Sequence, residues 1–255
     1  MILKINDDRG FQVFYNTAIK KFSNGQEFVK KSSYLIGRGL SNPGYIRKKS
    51  SSLKSSYKSL YISKLKMIDY ATENMPWDYF VTLTFDKKQV DRFDYVSVRK
   101  LFTKWIDNIK HQNKALKYIF VPELHKNGAV HIHGMIGNCP NLKLEPAINP
   151  HNGKHIYKNG SQIFNISNFK YGFTTLSKIK NQEACSVYIS KYMSKELIDY
   201  SFKNKYFRSH NLRKPIIEYS IFSDNDIFDY ISINNISFYK KIEHCSSIIE
   251  LIKKD

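Results

Sequence analysis

The chain has 255 residues, of which 42% are hydrophobic, enough for one domain with extensions or for two small domains. Its 41 Lys and Arg residues outnumber its 22 Asp and Glu residues, which gives a formal net charge of +19. A charge of this size attracts polyanions, so we expect nucleic acid as the partner and treat an anionic membrane surface as the weaker alternative.

The composition also argues against a membrane protein and against a zinc finger. No apolar run reaches the roughly 18 residues of a membrane span, and the first residues lack the pattern of a secretory signal. The three cysteines, Cys139, Cys185 and Cys245, include no Cys-x-x-Cys pair. We therefore expect free thiols in a reducing cytoplasm.

The first part of the chain is predicted to form a β segment followed by a basic helix. Two strand-forming runs within residues 10–36 are separated by Asn24-Gly25, a hairpin signal. Residues 37–50 are rich in glycine and are predicted to be a loop. Residues 50–73 have apolar positions at helical spacing and many lysines, which indicate either a DNA-contacting helix or a solvated helix face. The candidate phosphate contacts here are Arg47, Lys48, Lys49 and Lys54.

A strand and an amphipathic helix are predicted next. Residues 77–85 form a nearly unbroken β-branched and aromatic run, typical of a central strand covered on both faces. Thr82 and Thr84 share one face of that strand and are candidates to border a site. Residues 93–112 have a helical apolar stripe that we expect to pack on the sheet. The stripe consists of Val98, Leu101, Phe102, Trp105, Ile106 and Ile109.

Residues 116–136 hold a candidate metal site on a predicted hairpin with an Asn-Gly turn. His131 and His133 flank one apolar residue, so on a strand both imidazoles point to one face and form half of a metal site. Folding the hairpin lays Glu123 roughly alongside one of the two histidines. His125, nearer the turn, is either a spare ligand or unrelated to the site. The pattern predicts two imidazoles and one carboxylate, with coordination positions left open.

The region after the hairpin is predicted to be a surface loop and then a strand. Residues 138–168 are rich in Asn, Pro and Gly, which favours a loop. His151 and His155 lie there, and we interpret them as solvent-exposed residues. Residues 170–178 are predicted to be a strand.

Residues 181–198 have helical length and contain no Gly or Pro. At about 100° per residue, two tyrosines and two lysines fall within about a third of the helix circumference. They are Tyr188, Lys191, Tyr192 and Lys195. An exposed Tyr/Lys helix face is the plain interpretation. The chemical interpretation is that the ammonium groups favour a phenolate and bind a phosphate.

Three ordered motifs in this chain resemble those of the HUH endonucleases, which nick single-stranded DNA to start rolling-circle replication of small phages and plasmids. The motifs are Phe80-Val-Thr-Leu-Thr-Phe, His131-Ile-His-Gly and Tyr188-Ile-Ser-Lys-Tyr-Met-Ser-Lys. The last motif is similar to the two-tyrosine form found in initiators of small icosahedral single-stranded-DNA phages. Residues 206–215 resemble a basic segment that often follows, with Arg208, Arg213 and Lys214 as candidate DNA contacts.

The resemblance implies a fold, a cofactor and a set of site residues. The fold is α+β, with a central antiparallel sheet and helices packed on it. His131 and His133 bind a divalent cation, Mn²⁺ or Mg²⁺, with Glu123 as a third ligand. Tyr192 is the nucleophile that forms a 5′-phosphotyrosyl link, and Tyr188 is a second nucleophile that rejoins strands. Lys191 or Lys195 stabilises the developing negative charge.

These expectations define a function and a domain organisation. Residues 1–74 form an N-terminal β segment with a basic helix, residues 75–215 the nicking domain, and residues 216–255 a C-terminal extension. The protein is then a replication initiator in a bacterial host cell. Its partners are single-stranded DNA, an origin hairpin, and host helicase and polymerase. The alternatives are a transposase or relaxase with the same chemistry, and a non-catalytic basic DNA-binding protein.

Overall fold

The computed structural model describes residues 3–7, 10–39, 53–193, 205–244 and 247–254. The chain forms two compact units, one from Met1–Ser50 with Lys214–Asp255 and one from Ser51–Arg213. Within the described residues, no helix is both long enough and apolar enough to cross a membrane.

The described strands and helices follow one another along the chain in this order. They are β1 (Leu3–Asp7), β2 (Gly10–Lys21), β3 (Glu27–Gly39), α1 (Leu53–Glu73), β4 (Tyr79–Phe85), α2 (Tyr95–Gln112), β5 (Lys117–Leu124), β6 (Val130–Gly137), β7 (Leu144–Pro146), β8 (Tyr157–Lys158), β9 (Ser161–Ile166), β10 (Gly172–Lys178), α3 (Gln182–Tyr188), a 3₁₀ helix (Ile189–Tyr192), β11 (Phe207–Arg208), β12 (Ile216–Ser220), α4 (Asp224–Ile233), β13 (Ile236–His244) and β14 (Ser247–Lys254).

The first unit is a six-stranded sheet made from both ends of the chain. Its strand order is β1-β2-β3-β14-β13, with β12 paired to β2, and every pairing is antiparallel. The predicted hairpin at Asn24-Gly25 is confirmed, because Gly25 takes φ 89° between β2 and β3. Ile227 of α4 packs on Ile19, Val29 and Ile252 of the sheet. The C-terminal segment therefore completes the N-terminal sheet.

The second unit is built on an eight-stranded antiparallel sheet. The strand order is β11-β5-β6-β4-β10-β9-β7, and β8 pairs with β9. Strand β4 lies between β6 and β10, so the predicted central position of this apolar strand is confirmed. The α+β class with antiparallel sheets and packed helices is also confirmed.

Helix α2 covers one face of this sheet. Asp94 caps the helix by accepting hydrogen bonds from the backbone N–H groups of Val96 and Ser97. The predicted apolar stripe is buried at five positions, Val98, Phe102, Trp105, Ile106 and Ile109. These residues pack on Leu83, Phe120 and Ile132, among others, and form the larger core.

Helix α1, α3 and the 3₁₀ helix contribute to a second core on the other face. Met67 of α1 and Ile189 of the 3₁₀ helix are fully buried there with Val121 and Met135 of the sheet. The indole N–H of Trp77 donates to the carbonyl oxygen of residue 71, which fixes the end of α1 to the start of the sheet. The helix predicted for residues 50–73 therefore packs in this unit.

Two predictions about local structure were wrong. Residues 138–168 contain three short strands, because β9 pairs with both β7 and β8. The Asn and Gly residues there form the turns: Asn159 and Gly160 have positive φ and join β8 to β9. Residues 181–198 do not form one continuous helix, because α3 ends at Tyr188 and a 3₁₀ turn follows.

Candidate active site

The β5–β6 hairpin places Glu123 and both histidines of the His-x-His pair on one sheet face. Glu123 pairs with His131 across the two strands, and Val121 pairs with His133. Ile132, between the histidines, is fully buried on the α2 side. The predicted alternation of the His-x-His pair is therefore confirmed.

The turn of the hairpin is formed as the Asn-Gly signal predicts. Gly128 has φ 83°, a conformation that favours glycine. The side-chain oxygen of Asn127 accepts a hydrogen bond from the N–H of Ala129 at 3.0 Å. This turn fixes the register that brings the carboxylate and the imidazoles together.

Glu123 contacts His133 directly. The distance between His133 Nε2 and Glu123 Oε2 is 2.7 Å. Burial lowers the pKa of His133 to about 3, and the neighbouring His131 and Lys191 lower it further. The ring is therefore neutral near pH 7, and the contact is a hydrogen bond donated by Nε2–H rather than an ion pair. Burial also lowers the pKa of His131, with smaller contributions from His125 and Arg92.

Strand β4 supplies a threonine hydroxyl to each histidine. Thr82 pairs with His133 and Thr84 pairs with His131 in the β4–β6 register. Thr82 Oγ1 lies 3.1 Å from Nδ1 of His133, and Thr84 Oγ1 lies 3.5 Å from Nδ1 of His131. Because Nε2 of His133 carries the proton donated to Glu123, its Nδ1 accepts from the Thr82 hydroxyl. The prediction that these threonines border the site is confirmed.

The two tyrosines of the third motif meet at this cluster. The Tyr188 and Tyr192 hydroxyl oxygens are 2.9 Å apart, although the residues lie in different helices. The ring of Tyr192 stacks on the ring of His133, with centroids 3.8 Å apart. Lys191 Nζ is 5.2 Å from the Tyr188 ring centroid and 5.9 Å from that of Tyr192. The structure thus joins two phenols, one ammonium group and the imidazole–carboxylate pair.

The local charges differ from the sequence expectation about Tyr192. Its neighbouring lysines were expected to ease ionisation, but burial raises the pKa of the Tyr192 phenol, and the hydrogen bond with Tyr188 raises it further. Lys191 is nearer to the Tyr188 ring than to the Tyr192 ring. Lys195 lies outside the described residues.

Two aromatic neighbours of the site were not identified from the sequence. Phe80 of β4 contacts Tyr188 with ring centroids 5.7 Å apart and Tyr192 with centroids 6.0 Å apart. It shares a strand face with Thr82, so the alternation of β4 was the available signal. His125 stacks on His131 with centroids 5.0 Å apart, which makes it a neighbour of the histidine pair.

The predicted DNA-contacting cations are only partly described. Arg208 stacks on the Tyr70 ring of α1 at 4.3 Å, and Arg213 Nε lies 3.8 Å from Glu73 Oε1. Lys214 is exposed. The remaining predicted cations lie outside the part of the chain whose side chains are described: Arg47, Lys48, Lys49 and Lys54.

The donor chemistry of this cluster fits a divalent cation, although the side chains do not converge on one point. Among the described residues, no group of three or more His, Cys, Asp or Glu side chains is placed to hold a metal ion. Glu123 and His133 are in contact, whereas the rings of His131 and His133 are 6.3 Å apart. Neutral imidazoles and a carboxylate are suitable ligands for Mn²⁺ and related ions.

The fold and this cluster define an antiparallel α+β domain that presents tyrosine, histidine and carboxylate groups on one sheet face. Residues 78–197 match the family model of the replication-associated protein ORF2, a family of rolling-circle replication proteins. The matched segment contains all the site residues described above. Neither a curated protein nor a solved structure matches the chain.

Proposed function

We propose that this protein nicks single-stranded DNA at a replication origin and rejoins the strands during rolling-circle replication. The observation that carries the proposal is the stack of Tyr192 on His133, which sets a phenol beside an imidazole–carboxylate pair. The replication-associated family model that matches residues 78–197 supports the same role.

In the proposed reaction, the hydroxyl oxygen of Tyr192 attacks the phosphorus of a DNA phosphodiester. A bond forms between phosphorus and the tyrosine oxygen, and the bond from phosphorus to the 3′ oxygen breaks. The phenolic proton passes to solvent, and the 3′ oxygen takes up a proton to become a hydroxyl group that can prime a polymerase. The ammonium group of Lys191, with Lys195 proposed beside it, stabilises the negative charge that develops.

Tyr188 is proposed to act in the second strand transfer. Its oxygen is 2.9 Å from that of Tyr192, so both phenols address the same region of the sheet face. Attack by Tyr188 on a second phosphodiester releases another 3′ hydroxyl group. That hydroxyl group can attack the first phosphotyrosyl bond and join the strand.

Glu123, His131 and His133 are the residues proposed to hold a divalent cation, Mn²⁺ or Mg²⁺. When bound, such a cation polarises a non-bridging oxygen of the scissile phosphate. The threonine contacts orient each imidazole through Nδ1, and in the ligating tautomer Nδ1 carries the proton and leaves Nε2 for the cation. Glu123 already contacts Nε2 of His133, so it lies where a carboxylate ligand is needed.

The proposed substrate is single-stranded DNA, including an origin hairpin, with host helicase and polymerase as further partners. The predicted cations at residues 47–54 and 208–214 are proposed to contact phosphates. Binding should then weaken with salt by about 0.7 log units per released contact for each log unit of salt.

A covalent-adduct assay tests the proposed function. The protein is incubated with end-labelled single-stranded origin DNA and Mn²⁺, and the products are separated under denaturing conditions. A shifted phosphotyrosyl adduct is expected, and it should be lost in Tyr192→Phe but kept in Tyr157→Phe, a change at an exposed tyrosine of β8. Binding without any adduct, at all Mn²⁺ concentrations, would identify a non-catalytic DNA-binding protein instead.

A further inference from the structure

The sheet of the first unit has two unlike faces. Helix α4, the described helix of this unit, packs on the face that carries Ile19, Val29 and Ile252. Since neighbouring residues of a strand point to opposite faces, the residues between these positions form the other face. No helix among the described residues of this unit packs on that second face.

The register of the sheet aligns apolar and basic residues in one row across the second face. Ile217, Lys20, Phe28, Lys253 and Phe238 pair directly in that order, from β12 to β13. Directly paired residues point to the same face, so all five side chains share it. The apolar members are well exposed, at 44% for Ile217, 41% for Phe28 and 49% for Phe238.

A second row extends the same pattern. Tyr219, Ala18 and Lys30 pair in order across β12, β2 and β3. Lys240 follows Phe238 by two residues on β13 and therefore lies on the same face. We call Lys20, Phe28, Lys30, Phe238, Lys240 and Lys253 the basic aromatic face.

Carboxylates of these strands are found on the opposite face. Glu218 pairs with Ile19 in the register and forms a 2.7 Å ion pair with Lys21. Glu27 accepts a hydrogen bond at 2.6 Å from the hydroxyl group of Tyr230 on α4. The described carboxylates are thus used on the α4 side, and the basic aromatic face has a surplus of positive charge.

We propose that the basic aromatic face is a binding surface for single-stranded DNA, separate from the tyrosine site. Unpaired bases stack on exposed aromatic rings, and lysines between the rings contact the phosphates. Strands lie about 4.8 Å apart, so the five-strand row spans roughly 19 Å, enough for a few nucleotides. A duplex offers no free base faces to Phe28 and Phe238, so the face selects single strands.

The proposal goes beyond nicking and does not depend on it, because the surface needs neither a metal ion nor a tyrosine nucleophile. Its function would be to hold a strand while chemistry occurs elsewhere. Binding can therefore be measured on the full chain in EDTA, where the proposed cleavage does not occur.

Strand β13 offers matched pairs of variants that differ in the face they alter. Phe238 and Tyr239 are adjacent aromatic residues with exposures of 49% and 46%, and Lys240 and Lys241 are adjacent exposed lysines. Phe238 and Lys240 lie on the basic aromatic face. Tyr239 and Lys241 line a cavity of about 300 Å³ beside α4 on the other face.

The experiment combines photo-crosslinking with equilibrium binding of a labelled oligothymidylate of about 12 nucleotides, within known single-strand site sizes. Crosslinked peptides from β3 and β13 are expected in the wild type and should be lost in Phe238→Ala. The dissociation constant at that surface should rise about 5- to 100-fold in Phe238→Ala. Lys240→Gln should reduce the salt slope by about 0.7.

Tyr239→Ala and Lys241→Gln should retain both the crosslinks and the affinity. Thermal unfolding of all four variants separates a binding defect from a folding defect. Equal losses on the two faces, or crosslinks confined to the tyrosine site, would overturn the proposal. Equal competition by duplex DNA would also overturn it, as would tight binding of anionic vesicles that is lost in Phe238→Ala without any DNA crosslink to β3 or β13.

Discussion

The ring of Tyr192 lies on the ring of His133, with centroids 3.8 Å apart and planes inclined by only 13°. The His133 ring is itself held at both nitrogens, by Glu123 at 2.7 Å and by Thr82 at 3.1 Å. A phenol in a short helical turn is therefore positioned by a side chain on a central strand. This arrangement links the candidate nucleophile to the candidate metal ligands.

Thr82→Val should weaken divalent cation binding. The substitution keeps the shape of the side chain but removes the hydroxyl group that holds Nδ1 of His133 and leaves Nε2 for a ligand. We expect Mn²⁺ affinity, measured by electron paramagnetic resonance, to fall roughly 10- to 100-fold. Thr82→Ser should retain most of the affinity.

Thr175→Val is the matched control for this prediction. Thr175 pairs directly with Thr82 on the neighbouring strand β10 and is exposed. It shares the sheet face, but the histidine hydrogen bonds described above come from Thr82 and Thr84. If Thr175→Val lowers Mn²⁺ affinity as much as Thr82→Val does, the hydroxyl contact at His133 is not the cause.

Gly134→Ala should destabilise the second unit. Gly134 follows His133 on β6 and pairs directly with Phe120 on β5. A Cβ atom added at Gly134 would collide with Cδ1 and Cε1 of the Phe120 ring, which is fully buried. Overpacking of this kind costs about 1–3 kcal/mol.

Chemical unfolding measures this cost, and a double variant tests its cause. Phe120→Leu alone should also destabilise the protein, but in the Gly134→Ala background it should recover part of the loss, because the collision is relieved. Additive losses in the double variant would show that the Phe120 ring is not what excludes a side chain at Gly134.

The stability of the metal-free protein should fall as the pH drops below about 6.5. The pKa of His133 is lowered to about 3 in the folded protein by burial. Between these two values the unfolded chain binds a proton that the folded protein does not, so acid favours unfolding. One such group contributes a slope of up to about 1.4 kcal/mol per pH unit. His131, whose pKa is also lowered, adds a slope of the same sign.

Urea unfolding in EDTA at several pH values measures this effect. His133→Asn should flatten the dependence between about pH 6.5 and 4, whereas a change at the exposed His155 should leave it intact. An unchanged slope in His133→Asn would show that His133 takes up its proton in the folded state.

The parts of the site that depend on local sequence were predictable. The Asn-Gly turn and the alternation of β6 determine which way Glu123, His131 and His133 point. The spacing between Tyr188 and Tyr192 indicated a shared face, and their hydroxyl groups do meet. That contact survives the change from α-helix to 3₁₀ turn, since both geometries bring residues four apart close together.

Features that depend on distant pairing were not predictable from one sequence. The C-terminal strands pair with β2 and β3 across most of the length of the chain, as between Ile216 and Lys21. Local patterns cannot specify such partners, since many strands would satisfy the same alternation. The same holds for Phe80, whose contact with the two tyrosines arises only after β4 is placed beside β6.

The last prediction concerns the order in which the two tyrosines act. Tyr192 stacks on His133 beside the proposed cation ligands, whereas Tyr188 is 45% exposed and contacts the edge of Phe80. We therefore expect Tyr192 to attack first. Tyr192→Phe should abolish the first cleavage, and Tyr188→Phe should permit it while impairing the second strand transfer.

The pH dependence of the first cleavage provides an independent check on this order. Burial raises the pKa of Tyr192, and its hydrogen bond with Tyr188 adds to the increase, so the rate of attack should rise with pH. Tyr188→Phe removes that hydrogen bond and should shift the rising limb to lower pH. Mass spectrometry of the phosphotyrosyl peptide identifies the residue used in each variant. An adduct found mainly on Tyr188 in the wild type, with Tyr192→Phe nicking at the full rate, would reverse the order.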